Sequence, residues 1–170
     1  INPDVNSAGA FIFSKNSTFD IILDTGNKLK LYVLGAMWET GKVLTPNEWV
    51  HLTFVAQLNS NKTQSTMSYY LNGEFIESKT FNVSKNIDTY LNDAFYVAAN
   101  SQGSNGYRGN IDEIRFWNKA LDTETIKSNY NAYISGREEG LWAYYRCNEM
   151  GVSKVFDQSG RNGVFNNHDG

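Results

Sequence analysis

Apolar and polar residues alternate along the first part of the chain. Residues 10–15 and 19–24 are two such runs, and the polar residues 16–18 between them predict a turn. Residues 28–34 place three apolar side chains on one face and two lysines on the other. This pattern predicts half-buried strands of an antiparallel sheet.

The most specific local signal is Asn72-Gly73, which lies between the β-rich runs 67–71 and 74–76. Both central positions of a type I′ turn need a positive φ, which Asn and Gly tolerate, so the pair predicts a two-residue hairpin. The more apolar run 49–57 predicts a central strand.

Later runs predict further strands at residues 94–99, 109–117 and 141–147, and one short helix near 122–134. Asp122 is placed to cap the helix. The residues 150–170 form a tail rich in Asp, Asn and Gly. The sequence therefore predicts an all-β protein, an antiparallel two-sheet jelly-roll sandwich with one short helix, in a single domain spanning residues 1–170.

Charge and composition narrow the classes of partner. The chain has 15 Lys+Arg, 18 Asp+Glu and a net charge of −3, without a basic run, which argues against nucleic acid as a partner. No apolar run approaches the roughly 18 residues of a membrane span, which argues against direct membrane insertion. One cysteine excludes an intrachain disulfide. Charged residues make up only 19% and aromatics 14%, which is typical of an extracellular or cell-surface β-protein.

Three segments carry recognisable motifs in a fixed order. The first, residues 49–54 with 70–74, pairs a Trp-x-His-hydrophobic run with Tyr-hydrophobic-Asn-Gly. The second, residues 109–121, reads Gly-x-Ile-Asp-Glu-hydrophobic-Arg-hydrophobic-Trp-x-x-Ala-Leu. The third, residues 140–149 with 156–163, pairs Gly-Leu-x-Ala-Tyr-Tyr with a later Asp-x-Ser-Gly. Together they resemble the laminin G-like and pentraxin-like domains of the concanavalin A-like lectin/glucanase superfamily, as found in bacterial surface proteins.

The resemblance implies a concanavalin A-like jelly roll and a set of structural roles. Trp49 and Trp117 are expected in the core, and His51 is expected to be a packed, hydrogen-bonded strand histidine. Asp112 and Glu113 are expected to bond to backbone amides or to Arg115.

Domains of this family usually begin with two or three strands before the one that matches residues 9–15. This chain has almost nothing there. We therefore expect that those first strands are missing because the chain is cut from a longer polypeptide, or that they come from elsewhere.

The superfamily also contains glycoside hydrolases, so catalysis has to be tested on the residues. Laminarinase-type members carry Glu-x-Asp-x-Glu on one strand, which points the carboxylates into one cleft. No glutamate here has Asp two residues later, and Asp112 and Glu113 would face opposite ways on a regular strand. The sequence predicts a non-catalytic domain, with a divergent glycoside hydrolase as the least favoured alternative.

Sugar recognition needs an exposed aromatic ring with amide or guanidinium groups around it. Two segments qualify by composition, residues 35–40 and the loop 100–108. For the tryptophan in the first segment, packing on a sheet face is an equal alternative. The candidate ligand-binding residues are Trp38, Asn100, Gln102, Asn105, Tyr107 and Arg108.

Calcium is the one candidate cofactor, since exported jelly rolls often bind it through loop oxygens. Residues 100–106, at the position of the pentraxin metal loop, contain no carboxylate. Asp157 and Asn162, with Asn166, Asn167 and Asp169 nearby, form a second candidate site. An ordinary Asp/Asn-rich turn is the alternative there.

The leading hypothesis is a non-catalytic carbohydrate-binding or adhesion module of a secreted or cell-surface bacterial multidomain protein. Its expected partners are a glycan or surface glycoprotein and the neighbouring domains of the same polypeptide. The alternative is a purely structural spacer domain that has no ligand of its own.

Overall fold

The structure is a computed structural model that describes residues 1–5, 9–15, 18–83, 94–149, 154–160 and 164–166. These residues contain one helix, α1 (Thr123–Asn129), and fourteen strands. The strands are β1 (Asn2–Pro3), β2 (Ala10–Lys15), β3 (Phe19–Asp24), β4 (Lys28–Val33), β5 (Ala36–Val43), β6 (Leu52–Leu58), β7 (Gln64–Leu71), β8 (Glu74–Asn82), β9 (Tyr96–Val97), β10 (Gly109–Asn110), β11 (Ile114–Trp117), β12 (Leu141–Tyr145), β13 (Lys154–Phe156) and β14 (Val164–Asn166).

Two antiparallel sheets dominate the fold. Five strands form one sheet in the order β5-β4-β3-β2-β9, and three form a second in the order β6-β7-β8. The other strands described form the two-stranded ribbons β1-β10, β11-β12 and β13-β14. The prediction of an all-β antiparallel sandwich with one short helix is confirmed.

The main core contains buried side chains from both larger sheets. In β4 the alternate residues are buried, as the pattern predicts. Phe19 of the first sheet and Phe54 of the second meet with their ring centroids 5.9 Å apart. Burying one face of each sheet against the other removes the apolar side chains from water, which is the main favourable term in folding.

Trp38 belongs to this core and not to an exposed loop. It lies in β5, a strand that the sequence pattern does not predict, and only 2% of its surface is exposed. Its ring contacts those of Tyr69 and Phe81, with centroids 5.4 Å and 5.8 Å away. The prediction of an exposed stacking platform at Trp38 is therefore wrong. The sequence pattern does not predict this strand because the hairpin turn before it is Leu34-Gly35. Leu34 takes a positive φ of 51°, which hairpin turns usually give to Asn, Asp or Gly.

The Asn72-Gly73 hairpin is confirmed, with φ of 50° and 78° at the two turn residues. Helix α1 packs directly on this turn. A Cβ added at Gly73 would lie 2.6 Å from Cδ1 of Tyr130. Lys127 of the helix and Glu74 form an ion pair of 2.6 Å beside it. The glycine is therefore needed both for its φ and for the close approach of the helix.

The predicted helix is present but shorter than residues 122–134. Asp122 caps it as predicted, because its carboxylate accepts a hydrogen bond of 2.7 Å from an amide of the first turn. The helix ends at Asn129, whose carbonyl accepts a hydrogen bond of 2.7 Å from Arg115. Tyr133, which lies in the part of the predicted helix that does not form, is exposed.

Four of the later predicted strands differ in extent. In the run 49–57 the strand β6 begins only at Leu52, the run 94–99 shrinks to β9, the run 109–117 divides into β10 and β11, and the run 141–147 ends at Tyr145 as β12. The division occurs next to Glu113, which has a φ of 54°. A residue with left-handed backbone angles interrupts the extended conformation, so the alternation of side chains does not continue through it.

We expect Gly73→Ala to lower the free energy of unfolding by about 2–4 kcal/mol, since alanine would be strained at this φ and its Cβ would overlap the Tyr130 ring. Urea denaturation measures this. Gly26→Ala is the matched control, because Gly26 has a similar φ of 73° but no atom within 4 Å of an added Cβ. It should lose only about 1 kcal/mol. An equal loss of stability in both variants would show that the contact with α1 does not contribute to the free energy of unfolding.

Candidate functional site

Three backbone segments join at the N-terminus to form a ribbon. The segment that contains β1 lies in the middle, between β10 and residues 47–50. The amino group of Ile1 donates to the Val50 carbonyl at 2.9 Å, and the Val50 amide donates to the Ile1 carbonyl at 2.8 Å. On the other side, the Asp4 amide donates to the Arg108 carbonyl at 3.0 Å. We call residues 1–4, 47–50 and 108–110 the N-terminal ribbon.

The two faces of the N-terminal ribbon differ in chemistry. Ile1 and Val50 pack on the core, and Pro3 is buried. Because side chains alternate along a strand and paired residues share a face, the residues between them point outward. The outward face carries a row of Trp49, Asn2 and Asn110, with Asp4 and Arg108 one step along the ribbon.

This outward row has the kinds of groups that sugar recognition needs. Trp49 is 56% exposed and lies in one row with two asparagines. Neighbouring strands lie about 4.8 Å apart, so the row spans roughly 10 Å, the width of about two sugar rings. An indole ring covers an apolar face of a sugar, while amides donate to and accept from its hydroxyls.

The prediction that Trp49 lies in the core is wrong. The segment that contains it pairs with the N-terminal residues before β6 begins, because Asn47 has a φ of 59° and its amide bonds to the Pro3 carbonyl at 2.7 Å. A usable signal was present in the sequence. Trp49 and Val50 are adjacent, so on an extended segment only one of the two can face the core.

The predicted loop 100–108 is divided between structural and exposed side chains. The Asn100 side-chain oxygen accepts hydrogen bonds from the amides of Gln102 at 3.0 Å and Ser104 at 2.9 Å, so this residue organises the loop itself. Gln102 and Asn105 are exposed. They remain candidates for contact with a ligand, next to the N-terminal ribbon rather than on it.

The last two predicted loop residues point in opposite directions. Tyr107 packs against the core, and burial, followed by the negative charge of Asp4, raises the pKa of its hydroxyl. Arg108 is exposed and lies on the outward face of the N-terminal ribbon. The structure thus places Arg108 on the same face as Trp49 and not beside Trp38. Trp49 was not among the predicted ligand-binding residues.

Comparison with known families agrees with this fold. A laminin G-like family model, described as the concanavalin A-like lectin/glucanases superfamily, matches residues 1–127 of the 170. The chain belongs to this superfamily. The match includes the N-terminal ribbon and all eight strands of the two larger sheets. A comparison with curated proteins finds no match.

Laminin G-like domains are often carbohydrate-binding or adhesive, typically non-catalytic and often extracellular. Among the residues that the structure describes, no helix has the length and apolar character needed to cross a membrane.

Glu113 and Arg115 form a charged cluster that joins three elements of this laminin G-like domain. A Glu113 oxygen accepts hydrogen bonds from Arg115 at 2.7 Å and from the Tyr144 hydroxyl of β12 at 2.6 Å. Arg115, whose side chain is 9% exposed, also donates to the carbonyl of Asn129, the last residue of α1, at 2.7 Å and to that of Ala132 at 3.0 Å. Asp112 accepts from the Glu113 amide at 2.9 Å. The predicted structural role of this acidic pair is confirmed.

Asp157 stabilises a turn by accepting hydrogen bonds, as Glu113 does in its cluster. Its carboxylate accepts hydrogen bonds from the Tyr144 amide at 2.9 Å and from the amide and hydroxyl of Ser159, both at 2.8 Å. Asn162, its predicted partner as a calcium ligand, lies outside the described residues. Within the described ranges, no group of three or more His, Cys, Asp or Glu could hold a metal ion. Calcium binding here stays a prediction.

His51 is a packed and neutral histidine. Its Nδ1 lies 3.3 Å from the Thr53 hydroxyl, and its ring meets that of Tyr130 edge-on. Burial, followed by the positive charge of Arg115, lowers the pKa of His51 to about 4. The packed, hydrogen-bonded interpretation is confirmed, although the residue precedes β6 rather than lying in it.

We expect the free energy of unfolding to fall as the pH is lowered from about 6.5 to about 4, since the unfolded chain protonates His51 while the folded chain does not. Below the pKa that His51 has in the folded protein, both states bind the proton. The part of the free energy of unfolding that depends on neutral His51 is then fully lost. Urea unfolding of the parent protein and of His51→Gln across this pH range measures the effect. The variant should show a smaller slope, and equal slopes would contradict the prediction.

Proposed function

We propose that this laminin G-like domain is a non-catalytic glycan-binding module of a secreted or cell-surface bacterial protein. Its ligand would lie on the outward face of the N-terminal ribbon. The observation that carries the proposal is Trp49, an exposed indole at one end of a row that continues with two asparagines. The family supports it, because laminin G-like domains often bind carbohydrate or act in adhesion.

Each group on this face has a plausible task in binding. The Trp49 ring would cover the apolar face of one sugar. Asn2 and Asn110, paired across β1 and β10, would exchange hydrogen bonds with the hydroxyls of the same sugar or of its neighbour. The ring supplies contact area, and the amides fix the orientation.

The charges on the face favour a neutral ligand. Asp4 and Arg108 lie opposite each other on the paired segments, so a carboxylate and a guanidinium balance one another. An acidic sugar would be attracted by the Arg108 guanidinium and repelled by the Asp4 carboxylate. We therefore propose neutral glycans in preference to sialylated or sulfated ones.

A glycan array followed by titration calorimetry tests this function. We expect Trp49→Ala to weaken binding at least about tenfold, equivalent to about 1.4 kcal/mol, because the stacking surface is lost. Phe75→Ala is the matched control, since Phe75 is 50% exposed on β8, outside the N-terminal ribbon. It should bind like the parent protein. Trp49→Phe should recover part of the affinity.

Two outcomes would contradict the proposal: a parent protein that binds no glycan, or equal losses in Trp49→Ala and Phe75→Ala. The first would favour the structural spacer domain. In that case Trp49 would be covered by a neighbouring domain of the same polypeptide.

Trp38→Ala separates stability from binding. We expect it to lower the free energy of unfolding by about 3–5 kcal/mol, because it leaves a cavity among Tyr69, Phe81 and their neighbours. The glycan affinity of the folded fraction should be unchanged. A specific loss of affinity, measured well below the melting temperature, would return Trp38 to the list of ligand-binding residues.

A further inference from the structure

Strand β8 forms one edge of the three-stranded sheet. It is nine residues long, and among the described strands it pairs only with β7. Seven of the nine residues are exposed. The backbone amides and carbonyls on its outer side therefore meet no other strand in the part of the chain that the structure describes. An open edge of this length is a template for pairing with a further strand.

Two charges of opposite sign lie in the middle of β8. Glu77 pairs with Tyr69 of β7 and Lys79 pairs with Met67, and both β7 residues are buried in the core. Because paired residues share a face, Glu77 and Lys79 lie on the same side of the sheet. Both are exposed, since β8 is the outermost strand. Neither has an ion-pair partner among the described residues.

These charges restrict how β8 can pair with another strand. Charged residues on an edge strand usually oppose pairing, above all when they point inward. Here the two signs are opposite and one residue, Ser78, separates them. Two copies related by a twofold axis pair reciprocally, and their β8 strands run antiparallel.

One position of the twofold axis makes the charges complementary. With the axis at Ser78, Glu77 of each copy lies opposite Lys79 of the other copy. With the axis at Glu77 or at Lys79, two like charges lie opposite each other, which is destabilising. The charge pattern of β8 is therefore self-complementary in the register centred on Ser78.

The length of β8 favours the same register. Ser78 is the middle residue of the strand Glu74–Asn82, so an axis at this residue aligns the two strands along their whole length. Ile76 is a bulge, because no residue of β7 lies opposite it. The three central pairs lie between the bulges of the two copies. Charge and strand length are independent features, and both select this arrangement.

We propose that β8 is a dimerisation edge, which binds β8 of a second copy of this chain in the antiparallel register centred on Ser78. The two three-stranded sheets then form one sheet of six strands in the order β6-β7-β8-β8-β7-β6. Backbone hydrogen bonds hold the two edges together, and two Glu77–Lys79 pairs fix the register. The N-terminal ribbon leads into β6, at the opposite edge of this sheet, so the proposed glycan site stays separate from the interface.

Sedimentation velocity of the full chain, from about 10 μM to about 1 mM, tests the proposal. We expect the parent protein to dimerise in this range. Lys79→Glu and Glu77→Lys each place like charges opposite each other at both outer pairs, so each should weaken the dimer at least about tenfold in Kd. Lys28→Glu is the matched control, because it changes the net charge as Lys79→Glu does but lies on β4 of the other sheet. It should dimerise like the parent protein.

Two further samples separate a loss of pairing from a loss of folding. The double variant Glu77→Lys/Lys79→Glu exchanges the two charges, so it should dimerise like the parent protein. In an equimolar mixture of the two single variants, one copy contributes two positive charges and the other two negative charges in the interface. The mixture should therefore form a heterodimer that neither variant forms with itself.

Three results would overturn the proposal. A parent protein that stays monomeric up to about 1 mM would show that the edge does not pair with itself. Single variants that dimerise as strongly as the parent protein would place the interface on another surface. If the single variants dissociate but neither the double variant nor the mixture dimerises, the register centred on Ser78 is wrong.

Discussion

Two reciprocal hydrogen bonds between the backbones of Ile1 and Val50 are the contact on which the proposed glycan site depends. They hold the N-terminal segment against the chain that leads into β6. Because paired residues share a face, the inward direction of Ile1 and Val50 turns Trp49 and Asn2 outward. One backbone contact therefore orients the candidate glycan site.

Trp38 and Trp49 exchange the roles that their sequence context suggests. Trp38 lies in a short segment that begins with Gly35 and resembles a loop, yet it fills the space between the sheets. Trp49 opens an apolar run, yet the pairing of its segment with β1 leaves it in water. Local hydrophobicity is misleading in both cases. What decides is the contact with remote segments, the rings of Tyr69 and Phe81 for Trp38 and β1 for the segment of Trp49, and no local window shows it.

The motif around Glu113 shows which contacts a motif predicts and which it does not. Glu113 is expected to bond to Arg115, and it does so. That Arg115 also bonds to Asn129 is a tertiary fact, and so is the early end of α1. A buried guanidinium needs several acceptors at once, and the carbonyls at the end of a nearby helix supply them. The predicted helix was too long because its C-terminal residues satisfy this arginine instead of continuing the helix.

By itself, the sequence determined the class of fold, the Asn72-Gly73 hairpin, the alternate burial along β4, the capping of α1 by Asp122 and the superfamily. These features depend on short-range periodicity, turn chemistry and motifs. Only the tertiary structure decided which tryptophan is exposed and that Arg108 lies opposite Asp4. Each of these depends on contacts between segments far apart in the chain. Backbone groups are the same at every residue, so such pairing leaves almost no signal in the side-chain pattern.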